Sequence, residues 1–195
     1  MTHHHRSGVA GASGAVTLDR AGPSEVAAAP VVTATIPVGS ESDAVAVSPL
    51  TGDVYVTNFK DGTVSVISGR TNMVTATVPV GTSPVGVAVS PLTGAVYVTN
   101  FQDRTVSVIS GQTRMVTATV PVGTSPVGVA VSPLTCEVYV TKFLDGTVSV
   151  ICGQTRMVTA TIPVGTSPDG VAVSPLTGAV YVANVGVAAV SVISG

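Results

Sequence analysis

The sequence predicts an all-β chain made of four tandem copies of one four-stranded antiparallel unit. Three observations carry that reading. Pro37-Val-Gly, Pro79-Val-Gly, Pro121-Val-Gly and Pro163-Val-Gly recur every 42 residues, and a fixed period of this size marks units that stack to share a core. Val, Ala, Thr and Ser dominate, with 45% apolar and only 9% charged residues, a β-branched composition that suits strands. Finally, Gly/Pro/Asp turn signals cut each period into four short apolar runs.

Residues 1–30 stand outside the period. They are rich in Gly and Ala, carry His3, His4 and His5, and show neither strand nor helix patterning, so a flexible, disordered tail is expected. A secretory signal needs a basic start and a strongly apolar run. Gly8 to Val16 is mostly Gly and Ala, and Asp19 and Arg20 follow closely, so none is assigned. Residues 31–195 form the repeat domain.

Within one period the first strand is Met115-Val-Thr-Ala-Thr-Val-Pro-Val, whose Thr residues alternate toward water and whose Pro121 lacks the donor a central strand requires. The second, Val127-Gly-Val-Ala-Val-Ser, is small and apolar on both faces, so it is expected deepest. The third is Val138-Tyr-Val-Thr and the fourth Thr147-Val-Ser-Val-Ile. Ser-Pro-Leu-Thr-Gly and the Asp61-Gly62 and Asp145-Gly146 pairs supply the turns. The order from inside to outside is Gly-Val-Ala-Val, Tyr-Val-Thr, Val-Ser-Val-Ile, Thr-Ala-Thr. Such a graded sheet is what a β-propeller blade needs.

These residues also carry a family resemblance. Tyr55-Val-Thr-Asn58 and Tyr97-Val-Thr-Asn100, with the near matches Tyr139-Val-Thr-Lys142 and Tyr181-Val-Ala-Asn184, resemble the signature of the YVTN β-propeller repeat family. The resemblance covers residues 31–195. It implies kinship with surface-layer and cell-envelope proteins, and more distantly with lactonase-like and quinoprotein-like propellers. A cell-envelope or secreted location follows from that resemblance alone.

Closure is expected from strand counting. Val31-Val-Thr-Ala-Thr-Ile36 is an outer strand with no blade of its own, and the last repeat stops at Val190-Ser-Val-Ile193 without one. Pairing the two would complete four blades and cover an open edge. An open arc and a ring of two chains are the competing arrangements. Four blades turn about 90° each and eight about 45°, and both lie in the natural range. In the last repeat Val185-Gly-Val-Ala-Ala189 replaces Phe101-Gln-Asp-Arg-Thr105, an apolar change that points to a covered last blade.

Candidate chemistry is sparse. No His occurs in residues 6–195, which excludes a His-based triad or His metal site from the repeats. No metal ligand set and no cofactor is predicted. Net charge is −2, so neither nucleic acid nor an anionic membrane finds an electrostatic footprint, and the punctuated apolar runs are too short for a spanning helix. Asp61, Asp103 and Asp145 recur at one turn and read as turn formers. Asp43 and Asp169 begin the inner strands of the first and last repeats, where Val85 and Val127 stand in the middle two. In a closed ring these carboxylates are neighbours near the axis, and with Glu41 they are candidate contacts for a cation or a hydroxylated ligand. Cys136 and Cys152, both in the third repeat, are a candidate disulfide, with free thiols the ordinary alternative. Lys142, in place of Asn100, is expected on the solvated surface.

The repeats beginning at Pro79 and Pro121 differ at 7 of 42 positions. Near-identical loops suit binding better than catalysis, which needs different residues in named roles. The expected function is a non-enzymatic propeller scaffold that binds a protein or carbohydrate ligand on a face lined by Gly-Thr-Ser-Pro and Asn-Phe-x-Asp loops. The alternative is a truncated or divergent propeller enzyme of the lactonase-like or quinoprotein-like type. A second copy completing a larger ring is a further expected partner.

Overall fold

A computed structural model describes residues 28–195. The chain divides into two units, residues 1–33 and 34–195. Of the first, only 28–33 are described, and they are irregular and exposed. The expected tail over residues 1–27 lies outside the described residues.

The second unit is a row of four antiparallel sheets, each from consecutive strands. Blade 1 holds β1 (Ser42–Val47), β2 (Val54–Asn58), β3 (Thr63–Ser68) and β4 (Met73–Pro79). Blade 2 holds β5 (Pro84–Val89), β6 (Val96–Asn100), β7 (Thr105–Ile109) and β8 (Val116–Pro121). Blade 3 holds β9 (Pro126–Val131), β10 (Glu137–Lys142), β11 (Thr147–Cys152) and β12 (Met157–Pro163). Blade 4 has three strands, β13 (Pro168–Val173), β14 (Val180–Asn184) and β15 (Ala189–Ile193). The inner strands pack in sequence, β1 on β5, β5 on β9 and β9 on β13. The prolines fall where sheet chemistry tolerates them, at the ends of outer strands and the starts of inner ones.

The core lies between blades. Tyr55, Val64, Val66 and Val78 of blade 1 meet Val87, Val96, Val98 and Ile109 of blade 2. The same register joins blades 2 and 3 through Tyr97, Val106, Val108 and Val120 against Val138, Val140 and Ile151. Tyr139, Val148 and Val150 meet Val180 and Val182 at the third interface. Each blade thus offers a Tyr-bearing face to the next blade's Val face. The period-two alternation of a strand makes this possible, because successive side chains leave on opposite sides.

Three expectations are corrected. Residues 31–36 form no strand, and Val31 and Val32 are exposed; β15 is the outer edge of its sheet. Among the described residues, therefore, the closing pair is not made and no strand lies outside β15. Val185, Val187, Val190 and Val192 of blade 4 lie exposed rather than covered. The inner strands are also not the deepest. Most residues of β5 and β9 are half-buried, whereas β6 is buried throughout and β7 nearly so, because middle strands are covered by paired strands on both edges as well as by neighbouring blades.

The Asp-Gly turn is longer than a two-residue hairpin. Asn58 pairs Thr63, leaving residues 59–62 as the loop, and Gly62 N–H donates to Asn58 O at 3.1 Å. Gly62 takes φ +65°, and Arg104 holds the same conformation in blade 2 at φ +60°.

Candidate functional site

The Tyr-Val-Thr-Asn segment is a structural device, one residue at a time. Its Tyr fills the interface to the next blade. Its Thr bridges two blades: Thr99 Oγ1 accepts from Gly86 N–H at 2.8 Å and donates to Val127 O of blade 3 at 2.7 Å. Thr57 does the same with Ala44 N–H (2.9 Å) and Val85 O (2.8 Å). Thr141 repeats it with Gly128 N–H (2.8 Å) and Asp169 O (2.7 Å). In blades 2 and 3 the approach is closest: a Cβ on Gly128 would meet Asp169 O and Thr141 Oγ1, whereas in blade 1 Ala44 holds the same position. Sequence reading missed this role. Its signal was present: Ala183 replaces the Thr in blade 4, whose outer face packs on no other described blade.

The Asn is buried and satisfied. Asn100 Oδ1 accepts from Gly81 N–H at 3.1 Å, and Nδ2 donates to Thr105 Oγ1 (3.0 Å) and Ser107 Oγ (2.9 Å). From the last position of β6 it ties the Gly-Thr-Ser-Pro loop to the hairpin. Asp103 Oδ2 completes the tie by accepting from Thr82 N–H at 2.7 Å, and Asp61 accepts from Ser40 N–H at 2.7 Å. The recurring aspartates are thus loop clamps.

These two loops line one end of the array. Between blades 1 and 2 they enclose a groove of about 570 Å³, bounded by Glu41, Phe59, Lys60, Thr82, Gln102 and Asp103. Between blades 3 and 4 the equivalent positions, including Phe143, Leu144, Asp145 and Thr166, enclose about 410 Å³. The expected Gly-Thr-Ser-Pro and Asn-Phe-x-Asp loops therefore meet in space.

The other sequence candidates are dispersed. Glu41 rims the first groove, its carbonyl accepting from Phe59 N–H at 2.9 Å. Asp43 is exposed on β1 and Asp169 half-buried on β13, with β5 and β9 packed in order between those strands. Among the described residues, no three His, Cys, Asp or Glu side chains group to hold a metal. Cys136 and Cys152 are free thiols. Cys152 sits directly opposite Glu137, and Cys136 lies one residue further out, at φ +62°. Hydrogen bonds from Thr155 and from Gln154 N–H lower the Cys152 thiol below its ordinary pKa.

Lys142 is buried, not solvated. Burial, and then its 2.8 Å hydrogen bond to Glu137 Oε2, push the Tyr139 phenol up to about 12. Burial likewise raises Tyr55 and Tyr97, so these phenols stay neutral at physiological pH. Among the described residues no helix is long and apolar enough to cross a membrane.

Sheets stacked through their faces, strands running in order within each, and loop grooves at one end define an all-β blade-repeat array of propeller type. No family model matches the chain, and no curated protein matches it. Among solved structures it is similar to Kuenenia stuttgartiensis hydrazine synthase, with a TM-score of 0.72 and 24% identity. The match covers 85% of this chain and 49% of that one, so the chain spans about half of its neighbour's length. At that identity the likeness concerns the fold.

Proposed function

We propose that this chain is a YVTN-type propeller scaffold of the cell envelope that binds a carbohydrate ligand in its loop grooves. The observation that supports this is the recurrence of one groove, built from equivalent residues, at the blade 1–2 and blade 3–4 junctions. Two like sites on one face suit a ligand that itself repeats. Each groove combines an aromatic, Phe59 or Phe143, with hydroxyl- and charge-bearing neighbours, the mixture that sugar rings and their hydroxyls require. The family resemblance supports the envelope location.

Co-sedimentation with insoluble cell-wall polysaccharide tests the reading. The chain is expected to pellet with the polymer, and the pair Lys60→Ala and Gln102→Ala to weaken retention without changing the fold. A wild-type chain left wholly in the supernatant would overturn it, as would retention by a purified envelope protein alone.

The second reading, a divergent propeller enzyme, draws on the fold-level likeness to a protein named as a synthase. The Asp43 and Asp169 pair would be its ligand contact, near neighbours only where the first and last blades meet. Lactone hydrolysis that persists in the wild type and disappears in Asp43→Ala with Asp169→Ala would favour it over the scaffold.

A further inference from the structure

The two ends of the blade array expose opposite halves of the same interface. On blade 4, Tyr181, Val190 and Val192 are 45%, 60% and 58% exposed. They occupy the positions that Tyr55, Val64 and Val66 fill in the blade 1–2 core. On blade 1, Val45 is 65% exposed and Val54 and Val56 are half-exposed, the positions of Val87, Val96 and Val98 in that core. Contiguous apolar surface of this kind marks an interaction site.

We propose that the free face of blade 4 receives the free face of blade 1 from a second copy of this chain, two copies making an eight-blade ring through two like seams. Continuity with the three interfaces already in the chain supports the second copy as occupant. The contact is head-to-tail, and such contacts form closed rings when their rotation closes. Eight blades lie within the range that propellers adopt.

Two further observations agree. A Cβ on Gly86 or Gly128 would collide with a carbonyl of the following blade, yet around Gly170, the same position in blade 4, only Ala183 Cβ at 3.9 Å lies within 4 Å. Blade 4 therefore keeps the clearance that an incoming inner strand uses. Inside the chain Arg114 reaches Asp53 of blade 1 at 3.4 Å; at the seam the corresponding residues are Asn72 and Ala179, so docking strands no charge there. Ala183 lacks the hydroxyl that would donate to Asp43 O of the second copy. Asp169 and the second copy's Asp43 fall on adjacent inner strands, so screening by salt favours the seam.

Light scattering coupled to size exclusion, with sedimentation equilibrium, tests the proposal on the full chain. A mass of twice 19.2 kDa is expected, with association tightening as salt rises. Tyr181→Asp and Val45→Asp should each weaken it about 30-fold or more, as loss of a buried anchor does, while keeping the β-sheet circular dichroism of the wild type. Mixing the two variants should give a two-chain species tighter than either variant forms alone, because one of its two seams pairs the unmutated faces. Ala183→Thr should tighten association about 2- to 10-fold, the equivalent of one hydrogen bond. A single-chain mass up to about 100 µM, above the micromolar dissociation constants of weak specific complexes, would overturn the proposal, whether residues 1–27 or solvent covers the faces. So would a dimer that neither charged variant weakens, a mixture that fails to associate, or open-ended polymers.

Discussion

Lys142 Nζ lies 3.6 Å from Asp145 Oδ2, and the lysine is only 7% exposed. It occupies the place that Asn58, Asn100 and Asn184 hold in the other blades. The exchange leaves a specific defect. Thr147 Oγ1, the counterpart of the Thr105 hydroxyl that Asn100 Nδ2 reaches, is buried with no partner. Ser149 turns instead to Val122 O at 3.2 Å, and Gly123 is driven to φ +104° beside the lysine.

Lys142→Asn should therefore stabilise the protein. It restores the loop tie, gives Thr147 Oγ1 a donor and removes a buried ammonium. The expected gain is about 1–2 kcal/mol, or roughly 2–4 °C in Tm per kcal/mol for a chain of this size. Thermal unfolding followed by circular dichroism checks it; an unchanged or lower Tm would show that the ion pair with Asp145 outweighs the lost hydrogen bonds.

Thr99→Val should cost about 2–3 kcal/mol. The hydroxyl is wholly buried and serves Gly86 N–H and Val127 O at once, so its loss orphans a donor and an acceptor in different blades. Ala183→Val, which puts the same valine side chain where no such bridge exists, should alter stability far less. Urea unfolding of the two variants provides the comparison.

Gly128→Ala and Gly170→Ala should diverge in the same way. The first forces a methyl into Asp169 O and Thr141 Oγ1, and the second meets only Ala183 at ordinary contact distance. Gly128→Ala should lower Tm by several degrees. Gly170→Ala should leave the isolated chain's Tm nearly unchanged while weakening association of two copies.

The blades themselves were legible in the sequence, because Thr-Ala-Thr alternates, Asp-Gly and Ser-Pro-Leu-Thr punctuate, and each strand's character repeats at 42 residues. The order of strands within a sheet was also legible, although the depth ranking it was drawn from did not hold. Long-range facts were not legible. Whether residues 31–36 pair with β15 depends on how far the array curves, which no local pattern encodes. Lys142 looked like a surface residue because a charged side chain usually is one; its burial follows from the Asn pocket that it inherits. The loop grooves were anticipated as a pair of motifs, and their aspartates, read as turn formers, also hold backbone amides of the facing loop.

The Tyr139 phenol should titrate near 12, well above its ordinary value of 10.0. The folded state then holds a proton that the unfolded state releases. Its contribution to stability is full below pH 10 and is lost as pH rises toward 12. Glu137→Gln should lower this pKa but leave it above the ordinary value, since burial is the larger cause. Tyrosinate absorbance during alkaline titration reports both.

Arg104→Gly should stabilise by about 1 kcal/mol, since the arginine is exposed and holds a left-handed conformation that only glycine adopts without cost. Chemical denaturation is the check, with Asp103→Ala, which releases Thr82 N–H, as the destabilising control in the same loop.

Amide hydrogen exchange along β15 bears most directly on the open blade array. If blade 4 ends at β15, the β15 amides not bonded to β14 exchange orders of magnitude faster than their counterparts in β11, which β12 covers. Protection of β15 equal to that of β11 would mean that an outer strand lies against it, and the account of an unpaired edge would be wrong.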